Sequence, residues 1–365
     1  MSNHGSHFSD DNDFFYYFLN KKESIKMDYE ALKLEAALPA DPHLRQYLVY
    51  SNGENPPLAS LRRTLRVEQT AELEYQRRKG TLKTTLGWGQ RKLAIGLLEF
   101  LTLFAQPNDI VVYAGAAPGT GTVFVANLFP EMIFHLYDPA PNGWDQRLFK
   151  MPNVKVFTEY FTDSIAIKYT PSSPDVQSKT LFLSDIRTGT DEDIKNGTFE
   201  KAVMSDMNIQ MHWHELIRPR RAQYKFRLPY KNEDTTGIIP EAMNYLNGII
   251  FKQAWAKPSS TETRLVPFPE GGKKLWDNKW YEDIMFQHNV YDRTCYYKHT
   301  VKAPGLDHCF DCASEVAIFR QYLLRTNKQP TDEMIANLSM DLSFIISGRR
   351  DALSTQKNKE FGIID

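Results

Sequence analysis

The sequence predicts an α/β chain, a mostly parallel, doubly wound Rossmann-like sheet with helices on both faces. Three observations predict it. Short apolar, β-branched runs recur between segments of helical length, as expected of strands buried on both faces. A glycine-rich loop, Tyr113-Ala-Gly-Ala-Ala-Pro-Gly-Thr-Gly121, directly follows the first clear run and precedes a helix. Two of the runs end in an aspartate, Asp138 and Asp185, where a strand delivers a side chain to the carboxyl edge of a sheet.

The elements follow in order. Residues 1–70 read as an N-terminal extension: 1–13 is polar enough to predict disorder, 28–38 has helical spacing of Leu and Ala, and 51–57 is an Asn/Gly/Pro loop. Residues 71–325 carry the sheet. Leu93–Phe104 is an apolar helix, with Lys92 at its start. Strands are expected at Asp109–Tyr113, Met132–Tyr137, Val154–Phe157 and Thr180–Ser184, with a helix from the loop to about Leu128. A helix over Phe199–Leu216 follows. Tyr224–Leu228, Ile249–Trp255 and Thr263–Phe268 read as further strands and Trp280–Phe286 as helical. Residues 326–365 read as one helix and a polar tail.

Composition narrows the function. Of 365 residues 42% are hydrophobic, enough for a large core. The net charge of −1 excludes a wholly basic nucleic-acid coat, so any RNA must meet a local patch. Three cysteines argue against a disulfide scaffold and for a reducing compartment. Cys309 and Cys312 form one C-x-x-C beside His308. With no second pair, no metal site is expected. No apolar run of about 18 residues is present, so no membrane span is expected.

The loop lacks both G-x-G-x-x-G and a phosphate-binding lysine. Its proline suits a cofactor bearing a carboxylate and an amine rather than a pyrophosphate, and Asp138 stands where an acid accepts the hydroxyls of an adenosine ribose. Two lysines and two acids, Lys92, Asp185, Lys225 and Glu262, lie at element ends or within strands that could converge. Taken singly, each is an ordinary surface charge.

Several segments together resemble a known family. They are Leu73-Glu-Tyr75, Gly89-Gln-Arg-Lys92-Leu-Ala-Ile-Gly96, the Tyr113–Thr120 loop, Leu136-Tyr-Asp138, Leu183-Ser-Asp185-Ile-Arg187, Lys225-Phe-Arg-Leu-Pro-Tyr230, Ser260-Thr-Glu262-Thr-Arg264-Leu265 and Tyr281-Glu282. In this order and spacing, over roughly 72–325, the chain resembles the poxvirus-type cap-specific mRNA nucleoside-2′-O-methyltransferases, which double as the processivity subunit of a poly(A) polymerase. The resemblance implies an S-adenosylmethionine-dependent methyltransferase sheet. The implied partners are m7G-capped mRNA and a viral poly(A) polymerase catalytic subunit, in the host cytoplasm and virion of a large DNA virus. It makes Lys225 the general base, Lys92 the second ammonium, Asp185 its orienting acid and Glu262 the group that holds lysine or ribose. The donor pocket comprises Tyr113, Gly115, Ala117, Pro118, Gly119, Thr120, Asp138 and Asp185, with Phe161 beside the adenine. The family's Gly-Arg after the ribose acid is replaced by Pro139-Ala140, so no arginine contact follows there.

For the cap, the resemblance implies a sandwich of the 7-methylguanine between Tyr75 and Tyr230, with Glu282 reading its edge. Tyr230 replaces the family's Phe, and Asn232 replaces its second acid, with Glu233 and Asp234 adjacent. Arg187, Arg227, Arg218, Arg220, Arg221, Arg77 and Arg78 are the expected RNA contacts. Three rival readings stay open: a ribose methyltransferase acting on other RNAs, a non-catalytic processivity subunit, and a nicotinamide-dependent oxidoreductase suggested by the fold alone.

Overall fold

Alternation along each central strand divides the apolar residues between two cores. The computed structural model describes residues 61–65, 69–71, 73–76, 85–173, 176, 178–230, 235–269 and 271–361. In chain order it contains β1 (Thr64–Leu65), α1 (Gly89–Phe104), β2 (Ile110–Ala114), α2 (Thr120–Leu128), β3 (Ile133–Tyr137), β4 (Val154–Phe157), α3 (Asp163–Ile167), β5 (Thr180–Ser184), α4 (Asp191–Lys195), α5 (Phe199–Ile217) and β6 (Arg221–Phe226). Then come β7 (Ala242–Leu246), β8 (Gly248–Phe251), β9 (Thr263–Pro267), β10 (Lys273–Asp277), α6 (Asn278–Val290), α7 (Phe310–Arg325), α8 (Asp332–Ser347) and α9 (Ala352–Phe361). Val111 and Tyr113 join a core with Leu98 of α1, Val125 of α2, Phe319 of α7 and Leu342 of α8. Val112 and Ala114 face the opposite core, with Met207 of α5 and Ile284 of α6.

The sheet order is β1-β8-β9-β6-β5-β2-β3-β4. Strands β4, β3, β2, β5 and β6 run parallel, while β9, β8 and β1 add on antiparallel. From β2 the chain winds outward to β3 and β4, then returns to β5 on the other side. That reversal opens a crevice at the carboxyl ends of β2 and β5, the usual ligand position in this architecture. The expected Rossmann-like fold is therefore present, with three antiparallel strands at one edge.

Two sequence expectations are corrected. The strand expected to reach Trp255 stops at Phe251, and Trp255 takes a left-handed φ of 64°. The expected single helix and polar tail after 326 is two helices, α8 and α9, with Leu342, Ala352 and Leu353 buried in the first core.

Helix α1 is tied to this C-terminal part through Arg91. Its guanidinium donates to both Glu315 oxygens at 2.7 and 2.5 Å, to Ser343 Oγ at 2.9 Å and to Ser339 Oγ at 2.8 Å. Trp255 Nε1 also donates to Glu315, at 2.8 Å. Arg91 and Glu315 are fully buried, so each offsets the desolvation of the other.

His214, on α5, is pushed down to about 4 by burial, and its Nδ1 lies 2.9 Å from the Tyr224 hydroxyl. The folded chain holds it neutral. An unfolded histidine protonates near pH 6.5, so the unfolded state alone gains a proton as pH falls between 6.5 and 4. Stability should drop there by about 1.4 kcal/mol per pH unit from this residue. Urea unfolding of the parent and His214→Gln should show the slope flattened in the variant; equal slopes would remove the attribution.

Candidate active site

The crevice between β2 and β5 is closed at its floor by backbone. Asp185 N donates to Ala114 O at 2.9 Å. Gly115 follows with φ of 80°, and a Cβ there would stand 2.9 Å from the carbonyl carbon of Asp185 and from Ile186 N. Only glycine allows this left-handed turn at that approach. Gly119, with φ of 74°, is the N-cap of α2 and aims the first turn of that helix, Thr120 onward, at the loop. Asp138 ends β3 beside it: its Oδ1 accepts from Ala140 N at 2.7 Å and its Oδ2 from Ala117 N at 3.3 Å. Each oxygen keeps a second lone pair, so the acid still has acceptor capacity for two hydroxyls. Gly121, in the first turn of α2, lies against α1. A Cβ there would be 2.7 Å from Gln90 O and 2.9 Å from Ala94 Cβ.

The two lysines and two acids meet at this crevice. Lys92 comes from the first turn of α1, Asp185 from the end of β5, Lys225 from β6 and Glu262 from the residue before β9. Lys92 Nζ is 2.5 Å from Glu262 Oε1. Lys225 Nζ is 3.2 Å from Asp185 Oδ1 and 3.6 Å from Glu262 Oε2, and donates to Asp185 O at 3.3 Å. Thus the set drawn from sequence forms one network, with side chains between 11% and 16% exposed.

The sequence pattern assigns no role to Arg264, which completes the network. The antiparallel register of β6 and β9 sets Arg264 directly opposite Lys225, which puts both on one face. Arg264 donates to Asp185 Oδ1 at 2.6 Å and to Glu262 Oε1 at 3.1 Å. The Thr-Glu-Thr-Arg segment contained the signal, but only strand register reveals the partner.

Three cations therefore share two carboxylates. Burial lowers the Lys92 ammonium from its ordinary value, against the pull of Glu262, and the nearby Arg264 pushes it further down. Burial alone would raise Asp185; Arg264 and Lys225 together overcome that and hold its carboxyl low. Burial likewise works against Glu262, which Lys225, Arg264 and Lys92 hold well below the usual carboxylate range. Tyr113 is buried beside the network, its hydroxyl raised by burial and by Asp185.

The remaining expected site residues scatter. Phe161 packs edge-on against Tyr137 and Trp213, at ring distances of 5.3 and 4.8 Å, and tilted against Phe182 at 5.2 Å. It is a core residue of the second cluster, 7% exposed, rather than a wall of an open pocket. Tyr75 is 46% exposed, donates its backbone N–H to Asp283 at 2.7 Å and packs edge-on against Phe286. It thus sits on α6, the helix that carries Glu282, whose carboxyl is raised by burial. Tyr230 lies under the Arg227 guanidinium, 4.4 Å from its ring. Asn232, Glu233 and Asp234 lie outside the described residues, as do Arg77, Arg78 and Lys79.

The arginines expected to contact RNA divide sharply. Arg220 pairs with Asp109 in a buried contact and donates to Phe104 O at 2.7 Å. Its backbone N donates to Thr180 O, at the start of β5. Arg218 caps the C-terminus of α5 and Arg221 begins β6, over the Phe104 ring. All three stand at the amino end of the parallel strands, with Arg221 about 13 Å along β6 from Lys225. They do not flank the network, and Arg220 is structural. Arg227 is pinned by Glu200 at 3.0 Å and is 9% exposed, so it supports Tyr230 rather than facing solvent. Arg187 pairs with Asp206 at 3.1 Å, keeps 20% exposure and directly follows Asp185's strand end.

The chain matches the family model of the poly(A) polymerase regulatory subunit over residues 64–342. No curated protein sequence matches it. Among solved structures, coclaurine N-methyltransferase bound to N-methylheliamine and SAH is similar at 11% identity with a TM-score of 0.22, over 97% of this chain and 87% of that one. So loose a likeness bears on neither substrate nor cofactor.

Proposed function

The chain belongs to the poly(A) polymerase regulatory subunit family. Beyond that membership we propose a second, catalytic role, the S-adenosylmethionine-dependent methylation of the ribose 2′-hydroxyl of the first transcribed nucleotide of capped mRNA. The observation that carries the proposal is the network of Lys92, Lys225 and Arg264 around Asp185 and Glu262, set at the switch crevice beside the Gly115–Thr120 loop. Asp138, the loop backbone and the start of α2 offer the acceptors and donors an adenosine and an amino-acid moiety need. When bound there, S-adenosylmethionine supplies a methyl group already activated by its sulfonium.

The residues then have to position a hydroxyl and remove its proton. Two carboxylates facing three cations leave one excess positive charge in a buried place. An arginine keeps its proton, so relief comes through a lysine. Lys225, between Asp185 and Glu262, is the base; Lys92 and Arg264 supply the remaining positive charges of the network. Asp185 and Glu262 fix the amine's direction.

In this reading the cap stacks on the Tyr230 face opposite Arg227, with Tyr75 and Glu282 completing the site. Cation–π attraction is worth about 0.5–2 kcal/mol. Tyr230→Ala should therefore weaken 7-methylguanosine triphosphate binding by roughly 3–30-fold and leave guanosine triphosphate nearly unchanged, as read by fluorescence titration. Equal losses would remove the sandwich.

The direct test is methyl transfer to m7GpppA- and m7GpppG-capped RNA and to the same RNA uncapped, with the methyl located by nuclease digestion. Label in the first ribose of capped RNA alone is the expected result. Label in uncapped RNA favours another RNA substrate. Donor binding without transfer leaves the second reading, favoured by the family description: a processivity subunit that contacts a poly(A) polymerase. A cytoplasmic viral setting is part of the same proposal.

A further inference from the structure

Away from the crevice, a second polar cluster is buried under the C-terminal helix. Cys309 is the N-cap of α7 and Cys312 lies in its first turn. The loop before them is pressed onto α9: Gly305 has φ of 79°, and a Cβ there would be 2.4 Å from Ser354 N. This brings Asp307 to the same place. One carboxylate oxygen of Asp307 and the sulfurs of Cys309 and Cys312 lie within 4.8 Å of one another. All three residues are buried, at 7%, 3% and 0% exposure.

Cys312 Sγ receives two N–H donors. Lys357 Nζ donates to its sulfur at 3.2 Å and Asp307 N at 3.3 Å. Cys312 Sγ in turn donates to Gly305 O at 3.8 Å. A neutral thiol is a weak acceptor, whereas a metal-bound thiolate commonly collects such N–H donors from its surroundings. Lys357 also bonds Asp307 Oδ2, and Cys309 N donates to Oδ1 at 2.8 Å.

We infer that Asp307, Cys309 and Cys312 form a binding site for one soft divalent cation of the zinc class, within the 307–312 segment and beside Lys357 of α9. Two thiolates, the carboxylate, the Lys357 ammonium and a divalent cation sum to no net charge, so the filled site leaves none uncompensated in the interior. With metal–sulfur bonds of about 2.3 Å, tetrahedral donors stand about 3.8 Å apart. The present set therefore needs to contract by no more than about 1 Å. The C-x-x-C pattern alone does not reveal the site, because no second pair follows it. An aspartate two residues before the first cysteine takes that place, with a lysine from the far C-terminus beside it.

The full-length chain, stripped with a chelator, is titrated with Co²⁺ and followed by absorption. The expected result is one Co²⁺ per chain, with thiolate-to-cobalt charge transfer and the intense visible bands of a tetrahedral site, all displaced by Zn²⁺. Cys309→Ser and Cys312→Ser should lose the bands; Cys295→Ser should keep them. Asp307→Asn should keep the thiolate band but weaken binding by at least about tenfold. A parent chain that takes Co²⁺ without thiolate absorption, or takes none, overturns the site. So does a thiolate band surviving in the Cys309→Ser, Cys312→Ser double variant. Because the parent chain alone gives a decisive reading, misfolded variants do not protect the inference.

Discussion

Lys225→Ala should reduce methyl transfer by roughly 10²–10⁴-fold, the usual worth of a positioned general base, while S-adenosylmethionine still binds. The loss has two sources. The proton acceptor is gone, and Asp185 and Glu262 lose one of the cations that neutralise them. Lys225→Arg separates these: it keeps a cation between the two acids but offers a group that does not deprotonate. It should be nearly as inactive as the alanine variant, in single-turnover assays with capped RNA. A Lys225→Arg enzyme within tenfold of the parent would move the base to another residue, and Lys92, lowered by burial, would be the one to test.

The second large effect is on stability. Arg91→Met should destabilise the fold by about 3–5 kcal/mol, because Glu315 is left buried with its charge unmatched. Glu315 still receives the Trp255 indole N–H, but one neutral donor does not replace a bidentate guanidinium. Removing both charges, in Arg91→Met with Glu315→Leu, should recover much of the loss. Urea unfolding of the single and double variants measures this coupling. A single variant within about 1 kcal/mol of the parent would show that water reaches the site when the arginine is gone.

The central parallel strands β2, β3 and β5 were legible because they are short, mostly apolar runs. Thr180–Ser184 is buried at every position and reads so. Helix α7 was not legible, and only one of the two helices after 326 was. Helix α7 buries Asp311, Ser314 and Glu315, partners of Arg293, Arg63 and Arg91, so its inner face does not look apolar. Strand β10 carries Lys273, Lys274 and Asp277 around one buried Trp276, and only its pairing with β7 makes it a strand. The lysines and acids of the crevice were legible as types at strand and helix ends. Arg264 was not, because its role depends on which residue faces Lys225 across a ladder. The Arg218–Arg221 run misled for the opposite reason. A basic surface stretch and a strand start that buries one arginine against Asp109 look alike in one dimension.

The contact at Gly121 has a mechanical consequence. Helices α1 and α2 touch there at backbone distance, with no side chain between them to yield. The wall that carries Lys92 and the loop beside the donor therefore shift together or not at all. In the proposed reading, any adjustment that closes around a transcript falls to the opposite bank, strands β6 and β9. Induced fit in this protein would be one-sided, with a rigid donor half and an accommodating acceptor half.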